Sequence, residues 1–223
     1  MPTYGNSAMP HRAAVRHLKR SDPVMRRIIA SVGPCRLAER LHTNHLRALV
    51  AAIIAQQISW PAARTVEQRF CALYGCDSTN RRSKFPAPKK ILATPVRRLR
   101  AVGLSRQKVR YIRDIAARAA NGALPLHRLG RMKDQAIMER LTAVKGIGRW
   151  TAEIFMMFSL GRPDVFPVDD LGLQHAVRLA YGLRRMPSEK KMLELGEAWR
   201  PHRSVASWYL WRSRRLQTPK GAK

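Results

Sequence analysis

Apolar residues recur at helical spacing along most of this chain, and no other feature of the sequence restricts the fold as strongly. The clearest run contains Leu46, Leu49, Val50, Ile53, Ile54 and Ile58. Residues three and four positions apart share one face of a helix, and Pro61 is predicted to end this one. No segment shows the sustained alternation of apolar and polar residues that is typical of a half-buried strand. The sequence therefore predicts an all-α protein built from many short helices.

Proline, glycine and polar segments divide the rest of the chain into further predicted helices. These cover residues 62–74, 91–102, 106–120, 133–141, 149–160, 170–181, 188–199 and 204–215. Ser105 is predicted to cap the helix over 106–120, because a serine side chain can accept the N–H groups of a helix start. Residues 81–88 and 161–167 are predicted loops.

The two ends of the chain differ in composition from the segment between them. Residues 1–21 contain proline, glycine and several basic residues but no acid, so we expect a disordered basic tail. A mitochondrial transit peptide has a similar composition and stays open as an alternative. Residues 216–223 are predicted to form a short basic C-terminal tail. The expected folded core therefore covers residues 22–215.

The charge of the chain is strongly unbalanced. Its 223 residues include 43 Lys and Arg against 14 Asp and Glu, which gives a formal net charge of +29. Such a field attracts a polyanion and speeds its association, whereas a metabolic enzyme has no need of it. A merely solubilising surface is the plainer alternative. The excess of basic residues therefore favours a nucleic-acid partner.

Membrane and disulfide chemistry receive no support from the sequence. No apolar run approaches the ~20 residues of a membrane-spanning helix, and no apolar stretch follows the N-terminus as in a secretory signal, so we expect no membrane partner. The three cysteines, Cys35, Cys71 and Cys76, form no regular framework and favour a reducing compartment.

The most informative stretch runs from Leu141 to Ala152, where one predicted helix ends, a Gly-Ile-Gly turn follows and a second helix begins. Gly146 and Gly148 let the backbone turn tightly and approach another surface closely. The N–H groups at the start of the second helix lie at its positive end and can bind an anion such as a phosphate. An ordinary helix-turn-helix corner with a capping glycine is the alternative.

Two adjacent aspartates, Asp169 and Asp170, stand at the start of a predicted helix in a chain with few acids. Capping explains one of them. A carboxylate facing DNA could instead stabilise the positive charge that develops on a sugar as its base leaves, as carboxylates do in glycoside hydrolysis.

Four ordered segments resemble one known family. They are Ala55–Ser59, Val144–Glu153, Val165–Leu171 and Trp199–Ser204. Together with the hairpin and Asp170 they resemble the helix-hairpin-helix (HhH-GPD) DNA glycosylase superfamily, in its DNA-3-methyladenine glycosylase II (AlkA-like) branch. The similarity extends over roughly residues 22–215. The resemblance implies two helical subdomains with a DNA-binding and active-site cleft between them, without the β-rich N-terminal domain of the family.

The resemblance also implies roles for individual residues. Asp170 matches the catalytic aspartate, which leaves Asp169 as a cap or neighbour. Trp150 stands where bifunctional relatives carry a lysine nucleophile, so the base is expected to be released by water. Trp150 and Trp211 are expected to form walls of the base pocket, and core packing is the alternative for each.

Further residues are expected to bind DNA. Gln57 matches the residue that fills the gap left by the flipped nucleotide, and a solvent-facing polar residue is the alternative. The expected DNA-binding residues are Gln57, Ser59, Lys145, Gly146, Ile147, Gly148, Arg149 and Thr151. The family hairpin also holds a monovalent cation, Na⁺ or K⁺, through backbone oxygens that fall on Thr142, Val144 and Ile147.

The sequence thus predicts a monomeric repair enzyme that acts on double-stranded DNA with alkylated bases, either in the cytoplasm in association with the nucleoid or in the nucleus. No cofactor is expected, and the absence of cysteines after Cys76 argues against the iron–sulfur cluster of other branches. The alternatives are a non-enzymatic hairpin protein that binds DNA, a glycosylase for other damaged or mismatched bases, and a protein that binds single-stranded nucleic acid through stacked aromatic residues.

Overall fold

A computed structural model describes residues 11–41, 44–80 and 83–217 of the chain. Over these ranges it contains twelve α-helices, two short 3₁₀ turns at Ala38–Arg40 and Leu129–Arg131, and no strand. The predicted all-α class is therefore confirmed. No helix in the described ranges combines the length and the apolar character needed to cross a membrane.

The chain divides into two compact units. The described residues among 1–41 and 156–223 form what we call the terminal unit, and those among 42–155 form the central unit. The terminal unit contains α1 (Arg12–Ser21), α2 (Pro23–Val32), α10 (Leu171–Ala180), α11 (Glu189–Glu197) and α12 (Arg203–Gln217). The central unit contains α3 (His45–Ala55), α4 (Trp60–Ala72), α5 (Pro88–Ala93), α6 (Val96–Ala101), α7 (Arg106–Ala120) and α8 (Asp134–Thr142). Helix α9 (Arg149–Phe158) includes the boundary between the two ranges.

Helix α12 is the central element of the terminal unit, where it packs against α2 and α10. Its fully buried side chains Tyr209 and Leu210 pack in one core with Met25, Leu173 and Trp199. Burying a side chain of this size is worth roughly 1.5–3 kcal/mol. This core therefore fixes the start of α10, where Asp170 lies.

A buried carboxylate joins three segments of the terminal unit. Oδ1 of Asp22 caps α2 by accepting the N–H groups of Val24 at 2.8 Å and Met25 at 3.1 Å. Its Oδ2 accepts Nε1 of Trp199 at 2.8 Å and the hydroxyl of Tyr181. Burial and the neighbouring Asp22 carboxylate raise the pKa of Tyr181, which keeps the phenol protonated as a donor.

Helix α7 forms the core of the central unit by packing against α3 and α5. Its buried residues are Val109, Ile112, Ile115 and Ala116, which recur at helical spacing. As predicted, Ser105 caps this helix, and its Oγ accepts the N–H of Lys108 at 3.1 Å. The opposite face of α7 carries Asp114, which bonds to the hairpin described below.

Helix α1 corrects the predicted disordered tail over residues 1–21, because residues 12–21 are helical. Ala14 and Leu18 lie one turn apart and are buried. Exposed basic residues surround this apolar pair, so the composition suggested disorder although the spacing suits a helix. Residues 1–10 and 218–223, the remainder of the predicted tails, lie outside the described residues.

Two predicted helix boundaries are also wrong, both at prolines. Helix α3 ends at Ala55, and Pro61 lies in the first turn of α4, where its missing N–H costs no hydrogen bond. The predicted helix over 91–102 is two helices, α5 and α6, because Thr94 is extended before Pro95.

Candidate active site and DNA interface

Asp170 is the N-cap of α10, and two donors converge on one oxygen of its carboxylate. The Oδ1 atom accepts the backbone N–H of Leu173 at 2.6 Å and Nε1 of Trp211 at 2.9 Å. Asp169 was expected to be a cap or a neighbour of the catalytic residue; the first role is wrong, because Asp170 caps the helix and Asp169 is exposed. The two hydrogen bonds hold the Asp170 carboxylate in one orientation.

The residues around Asp170 leave little room at Gly172. A Cβ added at this glycine would lie 3.0 Å from Oδ1 of Asp170 and 3.3 Å from Nη1 of Arg214. Trp211 completes this group, and its ring stacks against Phe158 with the centroids 6.1 Å apart. The structure thus brings together Asp170 and Trp211, two residues that the sequence predicted separately.

The loop that leads to Asp170 is fastened to the start of α12. Ser204 accepts the N–H of Val165 at 3.0 Å and donates its hydroxyl to the carbonyl of Arg162 at 2.6 Å. Arg203 forms a two-pronged ion pair with Asp164, with distances of 2.7 and 2.9 Å. Two segments that appeared as separate motifs are therefore one connected structure. Sequence reasoning missed Asp164, although the scarcity of acids could have singled it out.

The predicted hairpin forms in the central unit between α8 and α9. The buried side chains of Val144 and Ile147 anchor the turn, and the N–H of Ile147 donates to the carbonyl of Val144 at 3.1 Å. Ala152 makes the first intrahelical bond of α9, to the carbonyl of Gly148 at 3.0 Å. The N–H groups at this helix start point toward the turn, as anion binding requires.

The two hairpin glycines have different surroundings. Gly146 has φ +86°, and a Cβ there would lie 2.1 Å from the ring of Tyr111. Gly148 is exposed, and a Cβ added at this glycine would meet no atom within 4 Å. Both glycines were expected to approach another surface closely. Gly146 does so against the Tyr111 ring within the protein, whereas Gly148 faces solvent.

Two side chains missed by the sequence reasoning fasten the turn to neighbouring helices. Nε2 of Gln56 donates to the carbonyl of Gly146 at 2.8 Å. Oδ2 of Asp114 accepts the backbone N–H of Lys145 at 2.9 Å and also pairs with Arg118 at 3.0 Å. Gln56 and Asp114 thus hold the backbone of the turn, and the Lys145 side chain is exposed.

The remaining residues of the hairpin differ in exposure. Trp150 is 47% exposed on the first turn of α9. Arg149 is exposed too, and its Nε lies 3.1 Å from Oε1 of the buried Glu153. The side chain of Thr151 is buried, so a DNA contact at this residue would have to use its backbone.

The corner between α3 and α4 carries Gln57 and Ser59. Gln57 is exposed and is the one residue other than glycine with positive φ in the described ranges, at +57°. Ser59 caps α4 through the N–H of Ala62 at 3.4 Å. Lys108 secures the end of α3 by donating to the carbonyl of Ile54 at 2.7 Å, and burial lowers the pKa of this lysine.

The cation expected at the hairpin stays a prediction. Its ligands would be neutral carbonyl oxygens of Thr142, Val144 and Ile147, which suit a hard cation. The Val144 oxygen already accepts one hydrogen bond, from Ile147, and a carbonyl has a second lone pair. Among the described residues no cluster of three or more His, Cys, Asp or Glu could hold a metal ion.

Comparison with known proteins places these features in a family. A family model described as HhH-GPD superfamily base excision DNA repair protein matches residues 50–201. The Alkylbase DNA glycosidase-like protein mag2 of Schizosaccharomyces pombe is 31% identical over 207 residues, covering 92% of this chain and 95% of the relative. DNA-3-methyladenine glycosylase 1 of the same yeast is 32% identical over 202 residues, covering 90% and 86%.

A solved structure agrees with this assignment. The 3-methyladenine DNA glycosylase Mag1 of Schizosaccharomyces pombe, in complex with abasic DNA, matches with a TM-score of 0.77 and 32% identity. The match covers 92% of this chain and 98% of that chain. The family expected from the four motifs is thus confirmed, and this chain belongs to the HhH-GPD superfamily of base excision DNA repair proteins.

Proposed function

We propose that this protein is a monofunctional DNA glycosylase that hydrolyses the N-glycosidic bond of alkylated purines, of the 3-methyladenine and 7-methylguanine type, and leaves an abasic site. The observation that carries the proposal is the carboxylate of Asp170, held by Trp211 and by the start of α10 in a chain of this family. Relatives with the name 3-methyladenine glycosylase support the substrate class.

The chemistry assigned to Asp170 is electrostatic. When the glycosidic bond breaks, its electron pair leaves with the base and positive charge develops on the sugar, which a fixed carboxylate stabilises. The cationic alkylated base departs as a neutral base, and a water oxygen then bonds to C1′ and releases its proton to the solvent. Alkylation of a ring nitrogen already weakens the glycosidic bond, so a strong general acid is unnecessary.

Trp150 and Trp211 are the proposed walls of the base pocket. An alkylated purine carries positive charge, and an aromatic face attracts a desolvated cation by about 2 kcal/mol. Trp150 also stands at the position where a lysine would form a Schiff base with the sugar. Because an indole has no nucleophilic amine, the abasic sugar is not cleaved by this route.

The hairpin is the proposed site of DNA-backbone binding. The start of α9 offers N–H groups to a phosphate, Gly148 lets the strand approach, and Lys145 adds a cation. Gln57, exposed at its corner, fills the gap in the duplex when the target nucleotide is flipped out. Ser59 and Arg149 add polar contacts, and a monovalent cation at the turn oxygens completes the site. The protein acts as a monomer on double-stranded DNA.

Replacing Asp170 tests the proposal directly. Asp170→Asn is expected to bind duplex DNA as wild type does but to lose release of 3-methyladenine from methylated DNA. Asp169→Asn, which changes the exposed neighbour, is the matched control and should keep the activity. Unchanged release by Asp170→Asn would refute the catalytic role. In parallel, borohydride should trap no covalent complex between wild type and DNA, and a trapped species would restore a lyase mechanism.

A further inference from the structure

Trp60 is the most exposed large apolar side chain among the described residues. It begins α4 and is 73% exposed, and Ile58, two residues earlier, is 40% exposed. Tryptophan is highly buried on average, so this exposure leaves much apolar surface in water. An apolar patch of this kind marks a binding surface more often than an isolated exposed leucine does.

The ring of Trp60 is carried on a defined helix start. Ser59 caps the helix, and Pro61 fixes the backbone at the next position. The hydroxyl of Thr65 bonds to the carbonyl of Pro61 at 3.1 Å. The guanidinium of Arg64, one turn later, lies 5.8 Å from the centre of the Trp60 ring. A ring positioned in this way loses little conformational freedom when it binds a partner.

The corner between α3 and α4, which carries Trp60, is bonded to the hairpin proposed to bind the DNA backbone. Gln56, at the end of α3, donates directly to the carbonyl of Gly146 in the hairpin turn at 2.8 Å. Gln57 and Ser59, both expected to bind DNA, stand between Gln56 and Trp60 in the sequence. The cation of Arg64 beside the ring suits a polyanion as well, in a chain of net charge +29.

We propose that Trp60 stacks on a nucleobase that has lost its pairing partner at a lesion. The inference rests on the proposed function and adds to it an aromatic contact separate from Gln57. Flipping a nucleotide takes its base out of the stack and leaves the opposite base without its pairing partner, so a side chain can reach either base. Every base presents a flat π face, so an aromatic platform can recognise an unstacked base without regard to sequence.

Binding measurements test this contact apart from catalysis. Wild type, Trp60→Ala, Trp60→Phe and a control, Val96→Ala, are titrated with a duplex that contains one tetrahydrofuran abasic analogue and with the same duplex undamaged. Val96 lies in the same unit on α6 and is 49% exposed. If the ring stacks on the opposite base, Trp60→Ala should bind the abasic duplex about tenfold more weakly, as expected for one lost stack, and the undamaged duplex almost normally. If it stacks on the everted base, the same loss should appear with an ethenoadenine duplex in the Asp170→Asn background. Trp60→Phe should recover most of the loss, and Val96→Ala should behave as wild type.

Fluorescent bases identify which base is stacked. 2-Aminopurine opposite the abasic analogue reports the partner base, and ethenoadenine at the lesion, bound by the Asp170→Asn variant, reports the everted one. Quenching that depends on Trp60 in one of these arms assigns the contact to that base. Quenching independent of Trp60 in both arms overturns the proposal.

Other outcomes overturn it as well. If Trp60→Ala changes the affinity neither for the abasic duplex nor, in the Asp170→Asn background, for the ethenoadenine duplex, the ring makes no contact with either base. If the slope of DNA binding against salt concentration is smaller by about one phosphate in Trp60→Ala than in wild type, the weaker binding comes from the neighbouring Arg64. A wild-type dimer in sedimentation that Trp60→Ala dissociates would make the patch a protein interface. Base release is measured separately. If the wild type releases no base but Trp60→Ala still binds damaged DNA more weakly, the glycosylase proposal fails and the stacking contact stands.

Discussion

Oδ1 of Asp170 both caps α10 and accepts the Trp211 indole, so the proposed catalytic group is also a structural one. Replacing a capping aspartate by alanine costs about 1 kcal/mol. Asparagine keeps a capping oxygen but removes the negative charge. This is why Asp170→Asn separates catalysis from folding, whereas Asp170→Ala would alter both.

Trp211→Phe tests whether the indole hydrogen bond orients this carboxylate. The change removes one donor to a charged group, an interaction worth about 1.5–3 kcal/mol, and keeps an aromatic ring against Phe158. We expect single-turnover base release to fall about tenfold or more while duplex binding changes little.

Trp208→Phe is the matched control on the same helix. Trp208 is buried, and its Nε1 donates to no residue within the described ranges. Its replacement therefore removes an N–H that makes no hydrogen bond. Equal losses of activity in the two variants would show that the effect comes from repacking and not from the bond to Asp170.

The two hairpin glycines give a second pair of variants. Gly146→Ala forces an L-residue into a left-handed conformation, at about 1–2 kcal/mol, and pushes against the Tyr111 ring. Its urea midpoint should fall clearly. Gly148→Ala meets open space and should fold normally, but the added methyl group stands where the DNA strand is proposed to approach. Gly148→Ala should therefore bind DNA more weakly, and wild-type affinity in this variant would argue against a close backbone contact.

At the scale of elements, helical spacing predicted most of the structure because buried side chains make the spacing regular. The predicted boundaries are wrong where composition or a proline outweighed the helical spacing. Basic composition hid the Ala14 and Leu18 face of α1, and Pro61 suggested a helix end although proline is equally at home in a first turn.

The site was predictable only in part for a related reason. Asp170 and the hairpin belong to continuous motifs, which a sequence displays. The bonds from Gln56 to Gly146 and from Asp114 to Lys145 join residues far apart in the chain, and no local pattern reveals them. Asp169 and Asp170 are identical in type, so only the backbone conformation decides which of them caps the helix.

Histidines at α1 and at the start of α12 should make the stability of the terminal unit fall in acid. Burial and the nearby His202 lower the pKa of His11, whose buried Nε2 has no hydrogen-bond partner among the described residues. Burial and His17 lower the pKa of His202, against the opposing effect of Asp164. The rings of His17 and His202 meet edge to face at 5.4 Å.

The sign of this effect follows from the lowered pKa values. Below the unfolded pKa of about 6.5 the unfolded chain binds more protons than the folded one, so stability is full above that pH and is lost as the pH falls further. His11→Leu should flatten the fall of the urea midpoint between about pH 7 and pH 5. His127→Leu, a change at an exposed histidine, should not. If the urea midpoint of His11→Leu falls with pH as steeply as that of wild type, His11 is not the cause of the acid sensitivity.

For the whole molecule, the question is whether the charge of +29 acts as a diffuse field or through the hairpin. If DNA binding neutralises about six phosphates, the logarithm of the association constant should fall with the logarithm of salt with a slope of about −5. Lys145→Gln should reduce that slope by about one, because its exposed ammonium is proposed to neutralise one phosphate. Lys190→Gln removes the same charge from α11, outside the hairpin, and should leave the slope nearly unchanged. Equal reductions in both variants would mean that net charge, and not a localised clamp, provides the attraction, and a flat salt profile in wild type would contradict phosphate binding altogether.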